Sequence, residues 1–118
     1  MKKFIASALF CAFYATHAAA QSIGGSYDVA GTNFDGSPYT GTAEITLTSE
    51  TTCVIEWTTG STTSQGICMR NDNAFAAGYV LGDEIGLVVY KVLPDGSLHG
   101  LWTLAGQEGN GTEVLTPR

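Results

Sequence analysis

Three cysteines, two histidines and 11 acidic residues are the groups in this 118-residue chain whose types could do chemistry. Cys11 and His17 lie within the first 20 residues, which leaves Cys53, Cys68 and His99 beyond them. Nucleophilic catalysis needs a serine or thiol beside a base. No G-x-S-x-G occurs, and an even cysteine pair reads as a disulfide rather than as free thiols. His99 shares one strand face with Leu101 and Thr103, the pattern of a structural or exposed strand histidine. Among the acids, Glu44 alternates with threonines and so faces solvent, Glu56 stands mid-strand, and Asp83-Glu84 occupies a turn. A metal site would need further soft ligands beside the cysteines, and His99 is the only one beyond residue 20. The glycines are scattered through turns rather than gathered before a helix, so no phosphate cradle forms. The expectation is a non-enzymatic protein with no metal and no cofactor.

The N-terminus has its own logic. Met1-Lys2-Lys3 is a positive n-region, residues 4–15 are apolar apart from Ser7, and His17-Ala18-Ala19-Ala20 offers an A-x-A cleavage site. Residues 1–20 are therefore expected to be a signal peptide and 21–118 the mature domain, periplasmic or secreted. Cys11 follows the bulky Phe10 inside the apolar run, so no lipid anchor is expected. In an oxidising compartment Cys53 and Cys68 should join, adding about 3 kcal/mol through the closed loop. Lys+Arg number 5 against 11 Asp+Glu, and Lys2 and Lys3 leave with the signal. So acidic a chain repels phosphate backbones and anionic lipid, which argues against nucleic acid and membrane surfaces as partners. Past residue 20 no apolar run approaches the ~18 residues of a membrane span.

Elements of one kind must position these groups. From Tyr39 to Thr48 the chain alternates strictly, with Tyr39, Gly41, Ala43, Ile45 and Leu47 on one face and threonines with Glu44 on the other. Further strands are expected at about 24–33, 52–59, 62–70, 74–81, 85–93, 98–104 and 111–116. Turn residues punctuate them: Asp35-Gly36 with Pro38, Gly60-Ser61, Asn71-Asp72-Asn73, Gly82-Asp83, Pro94-Asp95-Gly96 and Gly106 to Gly111. The connections are too short for parallel crossovers. If the cysteines face each other, Thr59 faces Thr62 and Gly60-Ser61 becomes a two-residue type II′ turn. Eight short strands in a meander favour closure over two bare edges. The fold class is therefore all-β, a small up-and-down antiparallel barrel of about eight strands with one disulfide, and a two-sheet sandwich is the alternative.

Two sets of apolar residues suggest binding. Tyr39, Trp57, Phe75, Tyr79 and Trp102 fall on the inward parity of their strands and outline an aromatic pocket for a small apolar or ring-shaped ligand, or else simply fill the barrel. The strand at 85–93 is apolar on both faces. Ile85, Leu87 and Val89 alternate with Val88, Tyr90 and Val92, and one set must meet something outside the barrel. With Ile85, Leu87 and Val89 turned inward, Val88, Tyr90 and Val92 form the expected interface for a protein partner or a second copy. Val54, Ile67 and Met69, opposite the cysteines, would extend it.

The run Tyr27-Asp28-Val29-Ala30-Gly31-Thr32-Asn33 opens a longer likeness. It continues through Asp35-Gly36-Ser37, Gly66-Ile67-Cys68-Met69-Arg70, Gly86-Leu87-Val88-Val89-Tyr90, Gly100-Leu101-Trp102-Thr103 and Gly111-Thr112-Glu113-Val114-Leu115-Thr116-Pro117. The chain resembles a family of small exported alphaproteobacterial proteins, some labelled fibronectin-binding protein. That resemblance implies an adhesin-like role and carries no binding residues over. The Asp95-Gly96 hairpin with Leu98, Gly100 and Trp102 is also similar to avidin-like barrels, which implies a small-ligand carrier. A periplasmic hydrolase inhibitor is the third reading, and it would present Gly106 to Gly111 as its protruding loop.

Overall fold

A computed structural model describes residues 22–118, so the expected signal peptide lies outside the described residues. Eight strands follow in chain order: β1 (Gly25–Thr32), β2 (Pro38–Leu47), β3 (Thr52–Thr59), β4 (Thr62–Asn71), β5 (Ala74–Leu81), β6 (Glu84–Val92), β7 (Leu98–Leu104) and β8 (Gly111–Pro117). Each pairs antiparallel with its sequence neighbours, and β1 pairs with β8 as well as β2, which closes the barrel. Closure satisfies the two backbone edges that a flat meander would leave bare. No described residue is helical. The strand boundaries depart from those expected by two residues at most.

The β3–β4 hairpin takes the register that the cysteine spacing requires. Cys53 faces Cys68 and Thr59 faces Thr62, leaving Gly60-Ser61 as the turn. Of those two only Gly60 has positive φ, 64°, as a type II′ turn demands. The disulfide spans Cα atoms 4.9 Å apart, and both cysteines point into the barrel. Two further turns share one construction at opposite ends. Ser37 N–H and Oγ both donate to Asp35 Oδ1, at 2.9 and 2.6 Å. Ser97 does the same with Asp95, at the same distances. These hydrogen bonds hold both aspartate carboxyls below the ordinary carboxylate range.

The barrel has a packed end and an open one. At the packed end Phe75, Leu98 and Leu115 are wholly buried, with Ile45, Ile55 and Tyr90 nearly so. Ile23 caps this end, held by the Tyr27 hydroxyl, which donates to its carbonyl at 2.7 Å. The turns after β1, β3, β5 and β7 ring the opposite mouth. Leu47, which alternation puts on the buried face, is 43% exposed because β2 runs out past the packed core there.

The strand at β6 corrects the expected interface. Val88 and Tyr90 are buried and Val92 packs partly against the core, so they are not a surface for a partner. Ile85, Leu87 and Val89 are the outward set, each more than 60% exposed. Two apolar faces leave the parity of such a strand undecided by hydrophobicity. Space inside decides it: Gly86 shares the inward face, and a Cβ there would meet the Tyr79 ring at 2.2 Å.

The outside of the barrel is two-sided. On β1 and β2 the outward positions are Ser26, Asp28, Ala30 and Thr32, then Thr40, Thr42, Glu44 and Thr46. On β4 to β7 the exposed residues Ile67, Met69, Val80, Ile85, Leu87, Val89 and Leu101 form one continuous apolar sheet face. A lipid-spanning barrel needs an apolar girdle around its whole circumference, and this one covers only part of it.

Candidate functional site

Alternation delivers four large aromatics to the mouth: Tyr39 from β2, Trp57 from β3, Tyr79 from β5 and Trp102 from β7. They enclose a cavity of about 470 Å³, completed by Val88, Leu81 and a rim of hydroxyls and an amide from Asn33, Thr40, Thr59, Thr62 and Ser64. Trp57 meets Tyr79 edge-on with ring centroids 5.2 Å apart. Trp102 lies 6.3 Å from Tyr39 and 4.9 Å from Phe34, which folds over it from the first turn. Strand glycines make room for these rings. A Cβ at Gly31 would strike Tyr39, and one at Gly111 would strike Trp102, each within 2.5 Å. Of the five aromatics expected to outline a pocket, the structure brings Tyr39, Trp57, Tyr79 and Trp102 together around this cavity. Phe75 is the fifth, and it lies in the packed end, stacked on Tyr90 at 5.6 Å.

At the cavity floor stands a residue that the pattern of acids did not single out. Glu113 of β8 is 6% exposed and lines the cavity. Its Oε1 accepts from the Tyr39 hydroxyl at 2.7 Å. Its Oε2 accepts from Trp57 Nε1 at 2.9 Å and from the Tyr90 hydroxyl at 2.5 Å. All three partners are neutral donors, as an acceptor-only carboxylate requires. The signal was present: Glu113 shares the parity of Gly111 and Leu115, whereas Glu44 sits among outward threonines, Glu56 lies on the face opposite Cys53, Ile55 and Trp57, and Glu84 starts its strand. A charge on the apolar side of a strand is buried by construction.

The neighbouring phenols respond to that charge. Burial and then the Glu113 charge push the Tyr39 and Tyr90 hydroxyls well above the ordinary tyrosine range. Burial, with Glu113 and Glu84 adding to it, raises Tyr79 to about 12. These phenols therefore stay protonated and remain donors, Tyr79 to the Thr103 carbonyl at 3.1 Å. Trp102 Nε1 is buried with no acceptor at hydrogen-bonding geometry. His99 lies on the outer face beside Lys91, far from the cavity. Among the described residues no group of three or more His, Cys, Asp or Glu side chains is placed to hold a metal ion.

Fold and site together define a class: a closed eight-stranded up-and-down barrel with one packed end and an aromatic cavity at the other. No protein-family model matches the chain, and no curated protein matches it. Among the solved structures it is similar to are designed barrels. One redesigned β-barrel aligns with a TM-score of 0.69 at 15% identity, covering 81% of this chain and 91% of that one. A second redesigned barrel, mFAP1, solved bound to DFHBI, gives 0.68 at 19% identity over 80% and 94%. A de novo fluorescence-activating barrel gives 0.63 at 16% over 80% and 93%. At these identities the likeness shows the fold.

Proposed function

We propose that the protein is a non-catalytic small-ligand carrier that takes a flat or ring-shaped molecule into the mouth of its barrel. One observation carries this reading: the interior is packed solid at one end yet left open between four aromatic rings at the other. A barrel filled only for stability has no reason to stop halfway. The cavity volume of about 470 Å³ lies within the usual range for small-molecule sites. That mFAP1 was solved with DFHBI supports the capacity of such a barrel to hold a ring. The disulfide supports export to an oxidising periplasm or exterior. The test is direct, because both tryptophans of the chain line the cavity. Titration with a panel of single- and double-ring compounds should change their emission saturably. No saturable change with any compound would end the carrier reading.

The apolar outer face favours a second, compatible reading, association of two copies. We propose that β4 to β7 form the contact. Small outward residues on β5, Ala74, Ala76 and Gly78, leave a shallow trough between ridges of Ile67 and Met69 on one side and Leu87 and Val89 on the other. A twofold-related copy can seat its ridge in that trough, as sheets do when they stack. Its seven large side chains, at roughly 100 Å² each, approach the ~800 Å² that one partner of a standard interface contributes. An adhesin-like partner would compete for the same surface, whereas a hydrolase would meet the Gly106 to Gly111 loop between β7 and β8. Sedimentation should show a dimer at tens of micromolar, and Leu87→Glu should yield a folded monomer. A wild-type monomer would remove this reading and leave the cavity untouched.

A further inference from the structure

We infer that the mouth cavity takes a small organic cation, an ammonium or amidinium carried on a flat ring, with Glu113 as its counter-charge. The inference rests on the mouth cavity being the ligand site and adds the chemistry of the ligand. Glu113 is almost wholly buried, lines the cavity and is held by three uncharged donors. A carboxylate has about four acceptor positions, so one remains for a ligand, on Oε1.

Among the described residues that line the cavity no side chain supplies the missing positive charge. The described residues hold three bases. Arg118 pairs with Asp28 on the outer surface at 3.3 Å. Arg70 donates from Nε to the Asp72 carbonyl in the β4–β5 turn. Lys91 is exposed opposite His99. By strand order all three belong to the packed end, and none lines the cavity.

The mouth carries the opposite bias. Its turns and their flanks hold Asp35, Asp83, Glu84 and Glu108, and no base. A channel of one sign concentrates the opposite ion and speeds its entry. Beside Glu113 the cavity is walled by Trp57, Trp102, Tyr39 and Tyr79, aromatic rings of the kind that attract a delocalised cation once it is desolvated. A carboxylate or phosphate ligand would instead meet Glu113 and the acidic rim.

Three probes of one shape separate the alternatives: benzamidinium, benzamide and benzoate, titrated into the mature protein with tryptophan emission and calorimetry as readouts. Benzamidinium should bind about tenfold or more tightly than benzamide, and benzoate more weakly than either. Glu113→Gln should erase the advantage of benzamidinium over benzamide, read as the ratio of the two affinities in the same variant. The wild-type ranking decides the matter even where that variant folds poorly. Equal binding of all three, or benzoate binding best, overturns the cation assignment and keeps the carrier. Binding of none of the three, while other ring compounds bind, also overturns it. Binding of no compound at all removes the carrier with it.

Discussion

Glu113→Leu is expected to destabilise the barrel by about 2–6 kcal/mol, because it strands two donors in the interior at roughly 1–3 kcal/mol each. The Trp57 indole N–H and the Tyr90 hydroxyl meet Glu113 Oε2 in buried surroundings, and Tyr90 is 1% exposed. With an aliphatic side chain in place the Tyr90 hydroxyl loses its acceptor, and the Trp57 N–H is left with the Tyr90 oxygen as its neighbour. Tyr39 is half-buried and faces the cavity, so it can turn to water and contributes least. Glu113→Gln keeps an acceptor oxygen, and a phenol oxygen can accept from its amide, so its loss should be less than half as large. Urea unfolding with tryptophan emission measures both, the midpoint falling while the slope holds. A leucine variant as stable as wild type would mean that the network orders the cavity without supporting the fold. The effect is of the size of the whole stability of a marginal domain, usually 5–15 kcal/mol.

The strand order and register were legible because several local signals agreed. Cysteine spacing, the Gly60-Ser61 turn and the alternation around Trp57 all demand one pairing of β3 with β4, and a slip by one residue would invert every face. The same agreement runs through the Asp35 and Asp95 turns. The face of β6 was not legible, since Leu87 and Val88 are equally apolar and differ only in what lies across the barrel. The glycines held that information. Gly86 accommodates the Tyr79 ring and Gly100 the Tyr90 ring, so inward glycines mark where large side chains cross the interior. The aromatic set was readable as inward but not as a pocket. Whether rings fill a barrel or frame a hole depends on their depth along it: Phe75 starts β5 at the packed end, and Tyr79 lies four residues on, at the mouth. Glu113 was hidden for a different reason. A search for paired acids or metal clusters passes over one carboxylate whose partners are two phenols and an indole.

Phe75→Ala should cost about 3–5 kcal/mol, the usual range for emptying a buried phenylalanine site. Phe75 has no exposed surface, lies against Tyr90 at 5.6 Å and sits at the end that Ile23 caps, where little can collapse to fill the space. Chemical unfolding would register the loss as an earlier midpoint. The same variant, studied where it is still folded, should bind the ring probe with wild-type affinity, because Phe75 does not line the cavity. Trp102→Ala should behave in the opposite way. Trp102 is partly exposed, lines the cavity and stacks with Phe34, so its loss removes a binding wall more than a core. If Phe75→Ala weakened ligand binding as much as Trp102→Ala, the two ends would be one coupled unit. The alternative, stability resting on one end and recognition on the other, explains why this short chain carries a disulfide and a capped core beside an interior it leaves half empty. A cavity forfeits burial that the barrel would otherwise gain, and the packed end with Cys53–Cys68 is what offsets it.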